Sequence, residues 1–154
     1  MSDRRFVVDT QLLVLLVVGS ASIDYVARHK RLHAYTGADF ALLCQIIGHP
    51  PKLQATPNTL TETANLIDDI PGPARLHIAR TFAEIVSNLL ETYVPSRTAV
   101  ARPEFERLGL TDAVLLDDGL ADATLLTADV LLYLAALQAG RPVRNFHHDR
   151  GNIC

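Results

Sequence analysis

Cysteine is scarce in this chain, and nothing metal-binding surrounds it. The two cysteines are Cys44, inside the apolar stretch ALLCQIIG, and Cys154, and they form no CxxC or Cys/His finger spacing. That excludes a disulfide framework and a zinc finger, and it fits a reduced, cytoplasmic protein in which Cys44 is a buried thiol. No apolar run reaches the roughly 18 to 20 residues that a bilayer requires, so a soluble protein with no membrane partner is expected. None of the eight glycines supplies a glycine-rich turn after a strand. A phosphate-binding P-loop and a dinucleotide fingerprint are thereby excluded. There is no G-x-S-x-G elbow and no convincing Ser/His/Asp arrangement for a hydrolase with a side-chain nucleophile. Internal repeats, long linkers and low-complexity tracts are missing too. What is present is 154 residues, 49% of them hydrophobic and 20% charged. This is ample for one core and too short for two comfortable domains, so a single domain over 1–154 is expected, with a polar tail from about 147 to 154.

The first informative stretch is RFVVDTQLLVLLVVG, residues 5–19, an apolar run interrupted by one carboxylate, Asp9. An ionised Asp among valines and leucines costs several kcal/mol or more to desolvate unless something pairs with it. With Arg4 and Arg5 as a basic region and SAS as a small-residue site, the run superficially matches a secretory signal. Against that, FVVD precedes the apolar core, and cleavage near Ser22 would discard a typical buried strand.

Strands and helices alternate along the rest. RFVV reads as a buried strand and TQLLVLLVVG, too long and leucine-rich for a second one, as a helix. Ser20 to His33 is amphipathic and basic; TGAD at 36–39 is a capping signal before the helix FALLCQII, which Gly48, Pro50 and Pro51 terminate. KLQAT at 52–56 is a second strand closed by Pro57, and residues 58–69 look helical. PGP at 71–73 precedes a long helix from Ala74 to about Leu90, with one buried face. TYVP reads as a brief strand and EFERLG as a short helix. LTDAVLLDDG reads as a helix capped by Thr111 and ended by Gly119, ATLLT at 123–127 as a buried strand, DVLLYLAALQAG as a helix stopped by Gly140, and PVRNF at 142–146 as a last strand. The repeated order, with near-continuous apolar strands, argues an α/β fold around a parallel sheet.

On that skeleton Asp9 ends the first strand, Glu62 lies in the helix after the second, Asp112 opens a helix and Asp129 follows ATLLT by two residues. Ligand sites in open α/β sheets form beyond the carboxyl ends of the strands, so four acids from four remote segments can meet at one edge. Such a cluster repels itself and needs cations, and hard oxygen ligands in that number suit Mg²⁺ or Mn²⁺. Taken singly, three of the four have plainer readings. Thr59 to Glu62 fits a capping box, and Thr111-Asp112 and Thr127-Ala128-Asp129 fit helix N-termini. Asp9 has no such partner in its apolar run.

VVDTQLL, TPNTLTETANL, GLTDAVLL and LLTADVLLYL, in that order and spacing, resemble the PIN-domain nucleases from about Phe6 to Phe146, and most closely single-domain bacterial members such as the VapC-type toxins. The resemblance implies a three-layer α/β/α sandwich with a central, mainly parallel sheet. It also implies a divalent-metal-dependent endoribonuclease hydrolysing phosphodiester bonds, the toxin of a type II toxin–antitoxin pair, with an antitoxin partner and a homodimeric state. Residue by residue, Asp9, Glu62, Asp112 and Asp129 match the family's metal-holding acids, and Thr127 the threonine that would orient a carboxylate or a water at the metal. At position 11, where many members have Ser or Asn, this chain has Gln11.

Charge adds little. The formal net charge is −3, and setting aside the four acids leaves the remainder slightly basic. RHKRLH at 28–33 is the densest basic stretch, with Arg28, Lys30 and Arg31 as candidate phosphate contacts, although a basic run also suits a solvated helix face. Tyr25 and Tyr35 nearby could stack on bases or anchor the segment to the core. HHD at 147–149 has metal-binding residue types but lies in the polar tail. Asp68, Asp69, Asp117, Asp118 and Asp122 flank turns and are expected to face water, and the sequence leaves open whether Asp117 or Asp118 joins the pocket. A haloacid-dehalogenase-type phosphatase would need D-x-D where this chain has Asp9-Thr10-Gln11. The rivals are an inactive PIN-fold scaffold that binds RNA, which the full set of acids disfavours, and a PIN-like nuclease acting on DNA.

Overall fold

Three residues are enough for the first strand. In the computed structural model, which describes residues 4–151, Phe6–Val8 forms β1, and Asp9 ends it by becoming the N-cap of α1 (Thr10–Ala21). Helix α1 is apolar on every side and buried from Leu12 to Gly19 without a break. Burial on every side is the environment such a helix requires.

The chain continues through α2 (Asp24–Arg28), a 3-10 turn at Lys30–Leu32, and α3 (Gly37–Ile47). The Thr36 and Asp39 capping box read from TGAD opens α3, and Gly48 closes it with a φ of 89°, a conformation that favours glycine. Next come β2 (Leu53–Ala55), α4 (Pro57–Ile67), α5 (Pro73–Ser87), β3 (Leu90–Glu91), α6 (Ser96–Val100), α7 (Phe105–Leu108) and α8 (Leu110–Leu115). A 3-10 turn at Asp118–Leu120, β4 (Thr124–Thr127), α9 (Val130–Gln138), β5 (Val143–Asn145) and α10 (Phe146–Gly151) complete it.

The five strands form one all-parallel sheet in the order β3-β2-β1-β4-β5. Side chains alternate across it. Val8 and Leu126 face the core built with α1 to α5, whereas Val7 and Leu125 face the one built with Leu115, Leu116 and α9. The molecule is therefore an α/β/α sandwich with both sheet faces covered, as parallel strands require. After β1 the chain builds outward through β2 and β3, then crosses back to place β4 on the other side of β1. This reversal opens a crevice beyond the carboxyl ends of β1 and β4.

Several elements differ from the sequence reading. The long helix stops at Ser87, and the strand expected at TYVP lies two residues earlier, at Leu90–Glu91, as a short edge strand. Ser96–Val100 is an additional helix, the helix expected to run to Gly119 ends at Leu115, and the tail beyond residue 146 is helical as far as Gly151. Thr56, not Thr59, caps α4, because Pro57 occupies the first helical position. Cys44 is half-buried rather than fully buried, and desolvation pushes its thiol pKa up; Cys154 lies outside the described residues.

Gly19 lets α1 and α3 approach, since a Cβ built there would overlap the ring of Phe40. Helix propensity alone makes Gly19→Ala stabilising by up to about 1 kcal/mol, whereas overpacking costs about 1–3 kcal/mol. The overlap should win. Thermal unfolding of Gly19→Ala is expected to fall by about 2–4 °C per kcal/mol lost, and to recover in a Phe40→Ala background. A more stable single variant would show that the two helices are not in contact there.

Candidate functional site

Asp9 finds its partners on a strand far along the chain. Its Oδ1 accepts the Leu12 N–H at 3.0 Å, while Oδ2 accepts the Thr127 hydroxyl and, at 3.0 Å, the Ala128 N–H. Thr127 is fully buried, and its hydroxyl oxygen also accepts the Asp129 N–H at 3.0 Å, so one side chain fixes both acids. Asp129 then caps α9, its Oδ1 taking the Leu131 and Leu132 N–H groups at 2.8 and 3.1 Å. Glu62 is gripped from two sides. Thr10 donates to Oε1 at 3.1 Å and Thr111 donates to Oε2 at 2.6 Å, which ties α4 to the starts of α1 and α8. The Thr111 hydroxyl, expected to cap a helix, is used here instead, and the backbone N-cap of α8 is Gly109.

Asp9, Glu62, Asp112 and Asp129 line a single cavity of about 420 Å³, with Thr10, Gln11 and Tyr35 on the same wall. The carboxyl of Asp112 is pushed up to about 7, first by burial and then by the charges of Asp9, Asp129 and Glu62. Burial also raises Asp9, outweighing its three hydrogen bonds, with the charge of Asp129 adding to the effect. Tyr35 is pushed up to about 12, by burial and then by Asp9. The acids ring the cavity rather than closing on one point, and among the described residues no three His, Cys, Asp or Glu side chains are drawn together as a ready-made cage.

The donors that hold Asp9, Glu62 and Asp129 are all neutral: hydroxyls and backbone N–H groups. Elsewhere arginines do that work, in the pairs Arg31–Asp69, Arg75–Asp68, Arg102–Glu104, Arg144–Asp149 and Arg150–Asp39. None of those pairs includes a cavity acid. Burial and mutual charge raise Asp112 and Asp9 toward their neutral forms, and the hard oxygen donors of the cavity fit a divalent cation of the Mg²⁺ or Mn²⁺ kind.

The remaining candidates lie outside the cavity. Arg28 stacks over Tyr25, Arg31 pairs with Asp69, and Lys30 is exposed; Gln11 joins this basic segment to the cavity wall by donating to the Arg31 carbonyl at 2.6 Å. Gln11 therefore does not support Asp9. Asp117 caps the 3-10 turn by accepting the Gly119 N–H, and neither it nor Asp118 lines the cavity. His147 and Asp149 are engaged by Arg150 and Arg144, while His148 packs edge-on against Tyr133. Asp68 and Asp69 are ion-paired rather than simply solvated. Thr10 and Thr111 were missed as site residues, because a hydroxyl that binds a distant carboxylate leaves no local pattern.

Because Asp112 ionises near 7 in the folded protein and near 3.8 unfolded, the unfolded chain binds fewer protons between those values. Folding stability in chelator is then fully present below about pH 4 as far as this group is concerned and is lost as pH rises through about 7. Asp112→Asn should flatten that slope and, at about pH 8, raise the melting temperature by about 2–4 °C for each kcal/mol of repulsion relieved. Equal slopes for the two proteins would show that Asp112 is not coupled to its neighbours.

No family model, curated protein or solved structure matches this chain.

Proposed function

We propose that the protein is a divalent-metal-dependent ribonuclease of the PIN type that hydrolyses phosphodiester bonds. One observation carries the reading: four carboxylates from four separate segments line one cavity at the switch point of a parallel sheet, and three of them, Asp9, Glu62 and Asp129, are held there by hydroxyls and backbone N–H groups. Asp9, Asp112 and Asp129, with Glu62, would hold Mg²⁺ or Mn²⁺. Such an ion supplies a water of lowered pKa and positive charge against the phosphate. The chain's own part is positioning. Thr127 fixes Asp9 and the backbone of Asp129 together, and Thr10 and Thr111 fix Glu62. Asp112, with its carboxyl pushed up to about 7, would be among the residues that hold the cation.

The choice of RNA follows the resemblance, as does the role of toxin in a toxin–antitoxin pair, an analogy of size and domain content. Helix α9 leaves Val130, Leu131, Leu134 and Leu137 exposed, an apolar face that suits a protein partner, either a second copy or an antitoxin.

Purified protein should cut RNA with Mn²⁺ and stop with chelator, and Asp9→Asn and Asp112→Asn should each lower the rate by about a hundredfold or more. A parallel single-stranded DNA substrate decides the nucleic acid. Mn²⁺ at about a hundredfold excess over its Kd should stabilise the wild type by about 2.7 kcal/mol, and each variant less. Cleavage that survives both substitutions or ignores chelation rules the mechanism out. Loss of both cleavage and metal binding in the wild type would favour a binding scaffold.

A further inference from the structure

A second cavity, of about 480 Å³, adjoins the acidic one, and Glu62 belongs to both. The Glu62 to Thr111 hydrogen bond forms part of the wall between them, and the far side carries Asn58, Thr61, Ser96 and Tyr93. Tyr93 is 74% exposed, the most exposed large apolar or aromatic side chain among the described residues. It does nothing for the core.

Its backbone, by contrast, is fixed. The preceding Thr92 donates its N–H to the Ala55 carbonyl at 2.8 Å, and its hydroxyl accepts from the Gln54 carboxamide at 2.7 Å. The following Val94 packs into the core, and Pro95 is the N-cap of α6. Tyr93 thus stands two residues past the carboxyl end of β3, at the edge of the sheet that also presents Asp9 after β1 and Asp129 after β4. An exposed ring on a fixed backbone has only its own side-chain torsions to lose when a flat ligand stacks on it.

The lining chooses the ligand. Glu62 is the only carboxylate or cationic side chain in this cavity, so a phosphate placed here would meet a negative charge and no cation. A neutral, planar group with hydrogen-bonding edges fits instead, with the ring of Tyr93 for its face and the Asn58 carboxamide and the Thr61 and Ser96 hydroxyls for its edge. We infer that this cavity is a base subsite, in which Tyr93 stacks on an unpaired nucleobase next to the phosphate that occupies the acidic cavity. The inference rests on the nuclease reading of that cavity and deepens it, because a base can present its face to Tyr93 only when it is not stacked in a duplex. The preferred substrate is a single strand.

The test is binding, kept separate from cleavage. In the Asp112→Asn background, anisotropy of a labelled single-stranded oligoribonucleotide should show Tyr93→Ala weakening affinity about tenfold, Tyr93→Phe leaving it nearly unchanged, and a duplex binding both alike. An oligonucleotide with one abasic position should bind the Tyr93 protein about tenfold more weakly than the intact strand, and the Tyr93→Ala protein no more weakly. With Tyr93 so exposed, unchanged melting temperatures confirm that the variants fold. Affinity unaffected by Tyr93→Ala, or an abasic penalty that persists in that variant, overturns the subsite. So does displacement of the strand by a free nucleoside alone, which would mark a nucleoside pocket. Cleavage assays separate the two readings. Wild-type cleavage with a silent Tyr93 leaves the nuclease without the subsite, whereas Tyr93-dependent binding without cleavage in any protein leaves the subsite without the nuclease.

Discussion

The bond from the Thr127 hydroxyl to Asp9 is the point on which the rest of the site depends. It joins the ends of the two central strands, β1 and β4, where the sheet order reverses and the crevice opens. Both strands run directly into helices capped by their own aspartates, Asp9 for α1 and Asp129 for α9. Two helix N-termini therefore point their free N–H groups toward one cavity, and each carboxylate gains about 0.3–1 kcal/mol from that arrangement. Repulsion is larger. Two carboxylates even about 8 Å apart still repel by about 2 kcal/mol at an effective dielectric of 20. With four of them around one cavity, the caps do not offset this, and the mutual charge adds to burial, the larger cause, in raising the carboxyls of Asp112 and Asp9.

Asp9 carries two loads that substitution can separate. It starts a helix that is buried along almost its whole length, and a buried helix end without a cap leaves N–H groups unsatisfied. It also supplies charge. Asn caps about as well as Asp, so Asp9→Asn keeps the helix cap and removes the charge, although its amide nitrogen cannot accept from the Ala128 N–H, whereas Ala would remove the cap as well. The same logic distinguishes Thr127 from the acids. A hydroxyl donates to Asp9 without neutralising it, as an arginine would, and so orders the carboxylate while leaving it able to attract a cation.

Much of this was legible in the sequence because it depends on local chemistry. Strand β1 is wholly apolar, β4 is a leucine pair between threonines, β2 is closed by Pro57, and the Thr36 to Asp39 capping box is written out in four residues. Asp9, Asp112 and Asp129 could be placed because each follows a strand or opens a helix, and Glu62 because its helix follows a strand, while a parallel sheet sends all its strand ends to one edge. What could not be read depends on contacts between distant segments. Strand β3 is two residues long and only partly buried, so no apolar pattern distinguishes Leu90–Glu91 from the TYVP that follows. Asp9 looked unpartnered because Thr127 and Ala128 reach it only once β4 pairs with β1. Thr111 sits where a cap would, yet its hydroxyl bonds Glu62, and Thr59 lost the capping position to Thr56 because Pro57 fits the first helical turn.

Glu62 shows how the fold turns separation in sequence into proximity. Its two oxygens are held by residues 10 and 111, each at the first or second position of a different helix, so a shift of any of α1, α4 or α8 would break a bond to it. It is also the wall that the acidic cavity shares with the neutral one. Held on both oxygens, Glu62 presents one fixed carboxylate to both cavities, and the contrast between them comes from the rest of their linings: Asp9, Asp112 and Asp129 in one, Asn58, Thr61 and Ser96 in the other. Two threonine hydroxyls thus fix the one charge that two chemically different cavities share.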